Sequence, residues 1–268
     1  LQPVDIEEYL SFLTYYEKDG QIYQNHEEGK ARKLATLNTF FGYFHKKEMI
    51  QKNAPSVVDV PRVKEKNIIR LDANEVAQLI DNIESGEKLT KQQKVWHERN
   101  KARDLAIVVT LLGTGVRVTE LVGLDLSDLD FDNGAMRVIR KGGNEDIVYF
   151  GEETEEMLRN YLDERMKMTP APGHENALFI SQNNTRITVR SVERLVKKYA
   201  STATVKKITP HKLRSTYGTA LYQETGDIYL VADVLGHKNV NTTRKHYAAM
   251  KEENKRKAAN IVQLREKE

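Results

Sequence analysis

Cysteine is absent from the 268-residue chain, which excludes a disulfide framework and a thiolate metal site and fits a reducing cytoplasm. Long apolar runs are missing too. The longest candidate, residues 105–112, falls well short of the roughly 18 residues that a membrane-spanning helix needs, so it reads as a buried helix and no membrane partner is expected. Charge of one sign is scarce as well: 42 Lys and Arg stand against 39 Asp and Glu, a net +3, so an anionic partner must be met by local clusters. The first residue is leucine and no charged-then-apolar leader follows, so the chain reads as a fragment or processed product.

What is present suffices for folding. Hydrophobic residues make up 39% of a chain longer than a usual single domain, so a small domain followed by a larger one is expected. Residues 5–16 and 30–47 repeat apolar residues at helical spacing, and in the second Leu34, Leu37, Phe41 and Phe44 share a face. These predict a small helical domain over 1–58. Pro55 and Pro61 bracket a stretch ending in Arg62, Lys64 and Lys66, and 59–70 reads as a basic linker. A second domain, 71–250, opens at Leu71, where Asp72 and Glu75 have the spacing of a capping box.

The charged, Gln-rich residues 86–101 read as an exposed insertion or helix extension, ahead of a buried helix over 103–112 and a Gly113-Thr114-Gly115 turn into another helix. From 124 to 150 the pattern alternates and is broken at Asp132-Asn133-Gly134 and Gly142-Gly143-Asn144, which predicts three short antiparallel strands. Helices are predicted over 152–167, 188–200, 210–224, 227–235 and 241–249, with a charged tail over 251–268. The fold class is mainly α with a small three-stranded antiparallel sheet.

Several side chains could handle a phosphodiester. Pro210 suits the first turn of a helix, which places His211 near free N–H groups that favour an anion and Arg214 one turn on. An HxxR spacing also occurs by chance on many helices. Arg117 follows a Gly-Thr-Gly turn in an apolar segment, where an arginine needs a carboxylate or a phosphate. Glu120, one turn later, either satisfies it structurally or orients it while donors remain. Lys141, beside the second tight turn, is either a solvated hairpin lysine or a group able to protonate a departing 5′ oxygen. His237 follows Leu235-Gly236 and reads equally as a capping histidine. Tyr247 is one of 12 tyrosines. Phenols are poor nucleophiles, with pKa near 10, so an attacking tyrosine needs positive donors around its target phosphate.

In order and spacing, Arg117 in T-G-V-R-V-T-E-L, Lys141 in a hairpin, His211 and Arg214 in T-P-H-K-L-R, His237 in L-G-H and Tyr247 ten positions later resemble the tyrosine recombinase (phage integrase) family. The D-I-E-E-Y-L and T-F-F-G-Y-F segments look like the helical core-binding domain of Xer-type recombinases and integrative-element integrases. The resemblance implies a core-binding domain followed by an α+β catalytic domain, without the family's first core-binding helix or any arm-type domain. It also implies that Arg117 and Arg214 bind non-bridging oxygens, His211 assists as acid or base, His237 donates to the phosphate, Lys141 is the general acid and Tyr247 the nucleophile.

Site-specific recombination through a 3′-phosphotyrosyl intermediate follows, for integration or excision of a mobile element or for chromosome dimer resolution, without metal, cofactor or ATP. Implied partners are double-stranded DNA recombination sites, a homo-tetramer on synapsed DNA, and accessory DNA-bending or directionality factors; the implied location is cytoplasmic and nucleoid-associated. The alternatives are a type IB-like topoisomerase and a non-catalytic DNA-binding protein with the same fold. Ser215 departs from the histidine many relatives carry, and Gly143-Asn144-Glu145-Asp146 replaces a hairpin that is often more basic. The tail, with Ile261, Val262 and Leu264 between charges, reads as a helix that packs in cis or is exchanged between protomers.

DNA contact has its own signals. Thr188 opens a helix whose Val189, Val192, Leu195, Val196 and Tyr199 form an apolar side, while Arg186, Arg190, Arg194 and Lys197 recur opposite as one positive stripe. Lys30, Arg32, Lys33, Lys46 and Lys47 give the first domain a basic surface. Asp128-x-Asp130-x-Asp132 begins like a calcium loop, but Asn133 stands where the turn glycine belongs and Ile139 where the bidentate glutamate belongs, so it reads as strand and turn.

Overall fold

The structure, a computed structural model, describes residues 1–63, 69–237 and 240. The chain divides into two compact units, Leu1–Asn67 and Ile68–Glu268. The first begins with α1 (Pro3–Phe12), whose entry is fixed by the Gln2 backbone N–H donating to Asp5 at 2.7 Å. Ile6, Leu10 and Leu13 recur on one face of this segment and pack with Leu34 and Val58, the unit's small core. The periodicity expected to run to residue 16 stops at Phe12. Two short strands follow, β1 (Tyr16–Lys18) and β2 (Gln21–Tyr23), paired antiparallel with Lys18 opposite Gln21. Asp19-Gly20 forms the two-residue loop, both at positive φ, and Tyr16 stacks on Tyr23 with ring centroids 5.3 Å apart.

α2 (Glu27–Lys46) buries only Leu34, with Leu37 packed beside it; Phe41 and Phe44 are half-buried and Phe40 and Tyr43 are exposed. The four-residue apolar face is thus a core contact at one end and an aromatic surface at the other. Lys30 is ion-paired with Glu27 at 2.5 Å.

In the second unit, α3 (Ala73–Ser85) carries the capping box read from the sequence: Glu75 N donates to Asp72 and Asp72 N to Glu75, each at 2.9 Å. Glu75 also accepts from Lys206 and Thr204. Burial opposes its charge, but those bonds and the Lys206 charge outweigh it and hold its pKa down at about 2. Residues 91–101 are a helix extension rather than an insertion, because α4 (Lys91–Thr114) is continuous and starts in its own Thr90–Gln93 capping box. Nor is that extension wholly exposed: His97 and Asn100 are buried. Every residue from Leu105 to Leu111 is buried, as a helix apolar all round requires, and α4 serves as the axle of the unit.

After α5 (Val118–Gly123) come the expected strands, β3 (Leu129–Asp130), β4 (Ala135–Ile139) and β5 (Glu145–Tyr149), in the order β3-β4-β5. Met136 pairs with Val148, so the buried faces of both strands coincide. The Asp128 and Asp130 carboxylates are used locally, the first by Arg137 and the Asp125 N–H, the second by Asn133. α6 (Glu152–Arg165), α7 (Val189–Ala203), α8 (Pro210–Thr225) and α9 (Ile228–Val234) complete the described fold. The connection into α7 is held by buried groups: Tyr161 donates to Leu178 O and Arg165 to the carbonyls of Glu175 and Ala177. The helix expected over 241–249, Tyr247 and the tail over 251–268 lie outside the described residues. Among the described residues no helix is long and apolar enough to cross a membrane.

Candidate active site

α4 ends at Gly115, whose φ of +63° is left-handed and whose added Cβ would collide with the Tyr217 ring. Glycine is therefore required both by conformation and by space. The tight exit buries Val116 and sets Arg117 at the N-cap of α5, where Glu120 accepts from the Arg117 backbone N–H at 2.8 Å and from its Nη1 at 2.7 Å. The Glu120 carboxylate is almost wholly enclosed. Burial works against its ionisation, but the bonds from Arg117 and the charges of Arg140 and Arg117 prevail and lower its pKa.

The Leu235-Gly236-His237 turn ends α9 as a Schellman motif: His237 N donates to Ala232 O at 2.8 Å and Gly236 N to Asp233 O at 2.7 Å, with Gly236 at φ +57°. Three guanidinium groups take the next three carbonyls in succession. Arg140 Nη2 donates to Val234 O at 3.3 Å, buried Arg214 to Leu235 O, and Arg117 Nη2 to Gly236 O at 3.0 Å. Arg214 donates also to Gly115 O, which ties α8 to the end of α4. The structure thus brings together Arg117, Arg214, Glu120 and His237, although they are far apart in sequence. Arg117 is partly exposed, and its remaining N–H donors have no partner among the described residues. His211 lies exposed in the first turn of α8, beside that helix's positive end.

Lys141 is exposed at the tip of the β4–β5 hairpin, where Arg140 N donates to Asn144 O and Gly142 and Gly143 take positive φ. Its neighbour Arg140, which motif reading passed over, is the residue that reaches the cluster. Besides Val234 O it donates to Glu120 at 3.1 Å and to Asp146 at 2.9 Å. The signal was legible. Alternation puts residue 140 in phase with buried Met136 and Val138, and an arginine in the inward phase needs acids.

A second surface lies on α7. Val192, Leu195, Val196 and Tyr199 are buried, and Thr188 caps the helix by accepting from Ser191 N. Arg190, Arg194 and Lys197 are exposed with no partner among the described residues. Two corrections apply to the positive stripe. Arg186 precedes the helix, and its guanidinium is engaged by Asp125 and the carbonyls of Val122 and Leu124, so it staples the fold instead. Glu193, also exposed, falls within the stripe by helical spacing, so the face is not of one sign. Beneath, Asp104 accepts from Tyr199 at 3.0 Å, Lys198 at 3.2 Å and Arg103, anchoring α7 to α4. In the first unit Arg32 is exposed and Lys33 half-buried, while Lys30 is held by Glu27.

Residues 69–254 match the model of the phage integrase family. The chain belongs to that family. A tyrosine recombinase XerC from Corynebacterium glutamicum is 33% identical over 223 residues, covering 81% of this chain and 68% of the relative. Another XerC, from Thermodesulfovibrio yellowstonii, is 35% identical over 218 residues, covering 80% and 69%. The recombinase also shares its fold with a crystal structure of the XerH site-specific recombinase bound to palindromic difH substrate, a post-cleavage complex, with a TM-score of 0.73 at 21% identity, covering 97% of this chain and 72% of that one. These similarities favour a tyrosine recombinase over the topoisomerase and non-catalytic alternatives.

Proposed function

We propose that this recombinase cuts and rejoins duplex DNA at specific sites by transesterification, with Tyr247 as nucleophile. The Tyr247 oxygen attacks the phosphorus; a 3′-phosphotyrosyl bond forms as the bond to the 5′ oxygen breaks. His211 takes the phenol proton and Lys141 gives one to the 5′ oxygen. Attack by the 5′-hydroxyl of a partner strand reverses these transfers, so the ester bond is conserved and no nucleotide is consumed. Arg117 and Arg214 hold the non-bridging oxygens, with His237 donating beside them, as fixed donors where charge builds up in the transition state.

The observation that carries this reading is the convergence of Arg117 and Arg214 on consecutive carbonyls, Gly236 and Leu235, directly before His237. Two guanidinium groups held side by side at a helix exit suit a doubly contacted phosphate. Exchange between two duplexes cuts four strands and uses one tyrosine per cut, so the acting species is a tetramer on synapsed DNA. Arg190, Arg194 and Lys197 contact the duplex, and Arg32 and Lys33 supply a second basic surface. A substrate nicked beside the cleavage position, which loses its short 5′-hydroxyl fragment after cleavage, should accumulate a covalent protein–DNA complex. Trapping undiminished in Tyr247→Phe would sink the assignment.

A further inference from the structure

Arg140 lies between the two halves of the proposed site. Its Nη1 donates to Glu120 at 3.1 Å, the carboxylate that also holds Arg117; its Nη2 meets Val234 O at 3.3 Å; its Nε donates to Asp146 at 2.9 Å, on the returning strand of the hairpin. The guanidinium is packed so closely under the α9 exit that a Cβ added to Gly236 would lie 2.8 Å from its Cζ. Nearly nine-tenths of the side chain is removed from solvent. A solvated hairpin arginine would not be enclosed among two acids, a helix terminus and a glycine that leaves room for it.

The next residue is Lys141, at the exposed tip. A lysine has a flexible stem and acts as a point charge, so its usefulness as an acid depends on where its backbone is fixed. Of the side chains in this hairpin, Arg140 makes the contacts that fix the root of the turn to the Arg117–Glu120 pair and to the turn that precedes His237.

We infer that Arg140 is a positioning residue for proton delivery: it locks the β4–β5 hairpin onto the arginine cluster so that the Lys141 ammonium is held at the leaving 5′ oxygen. This rests on the general-acid role proposed for Lys141. It assigns Arg140 no contact with DNA and no proton of its own. The acidic Asp146, which looked from the sequence like a dilution of a basic hairpin, becomes part of the lock.

The test uses single-turnover cleavage with two nicked substrates, one with the ordinary 5′ oxygen at the scissile bond and one with sulfur there. A thiolate leaves without a proton, so a defect confined to proton delivery disappears with sulfur. Lys141→Ala should lose about 10²-fold or more with oxygen and recover to within a few-fold of the unaltered protein with sulfur. Arg140→Met should lose roughly 10²-fold with oxygen and recover in the same way, while binding uncleaved DNA with unchanged affinity. If Arg140→Met does not fold, Arg140→Lys keeps the charge but cannot reach Glu120, Asp146 and Val234 O together, and the same rescue is expected from a smaller loss.

If Lys141→Ala is rescued by sulfur and neither Arg140 variant is, the inference is overturned and Arg140 serves the arginine cluster instead. If Lys141→Ala itself is not rescued, the general-acid role of Lys141 falls, and the inference falls with it. Wild-type cleavage rates in the Arg140 variants would overturn it outright.

Discussion

Three donors from two arginines and one backbone N–H converge on the Glu120 carboxylate, which is why an acid can remain ionised where almost no water reaches it. Glu120→Gln keeps the size but removes the charge, and it should destabilise the protein by about 2 kcal/mol, the scale for hydrogen bonds to charged groups. Because the folded pKa is lowered, that stabilisation is complete above the ordinary carboxylate value of 4.5 and drains away as the pH falls through the lowered one. Urea denaturation midpoints of the two proteins should therefore converge below about pH 4.5; a constant gap down to pH 3 would contradict the account. Tyr199→Phe should cost roughly 1–3 kcal/mol by leaving buried Asp104 short of a donor, read by thermal melting. Arg117 and Glu120 were legible because an arginine in an apolar stretch demands an acid at helical reach. Arg140 was legible by alternation and was hidden only because the adjacent lysine answered the motif. Arg186 looked like a stripe residue by count alone, and no local pattern announces that its partners are Asp125 and two carbonyls.

Helices with a cap and an apolar stripe were readable almost to their ends: the Asp72–Glu75 box, the Gly115 stop and the apolar side of α7 all follow from local chemistry. The Asp19-Gly20 hairpin was missed: that dipeptide supplies two left-handed residues, but the apolar run before it imitates a continuing helix. What stayed open between an insertion and a helix extension was the first half of α4, which runs as one helix from Lys91 to Thr114, because that half is polar and only tertiary contact buries His97. For α7, exchanging Arg190 and Arg194 for alanine together should weaken DNA binding and reduce the slope of log K against log salt by about 2, one for each phosphate no longer neutralised. Glu193→Gln should strengthen binding, since it removes the acid from that face. Fluorescence anisotropy over a salt series measures both, and an unchanged slope would remove α7 from the interface.

Family membership settles the kind of enzyme, and the geometry gathers Arg117, Arg140 and Arg214 at one place, where the ends of α4, α5 and α9 meet α8 and the β4–β5 hairpin. No single segment of sequence contains that place; it exists because Gly115 and Gly236 permit two helix exits to approach within reach of the same arginines. The order of the motifs could announce the family, but only folding shows that successive carbonyls bring Arg140, Arg214 and Arg117 into a row. The central claim is that this row serves a phosphate attacked by Tyr247. Digesting the trapped protein–DNA complex and locating the modified peptide by mass spectrometry tests it most directly. The account predicts a nucleotide joined through its 3′ phosphate to Tyr247; a link to another tyrosine, such as the exposed Tyr229, or through a 5′ phosphate, would contradict it.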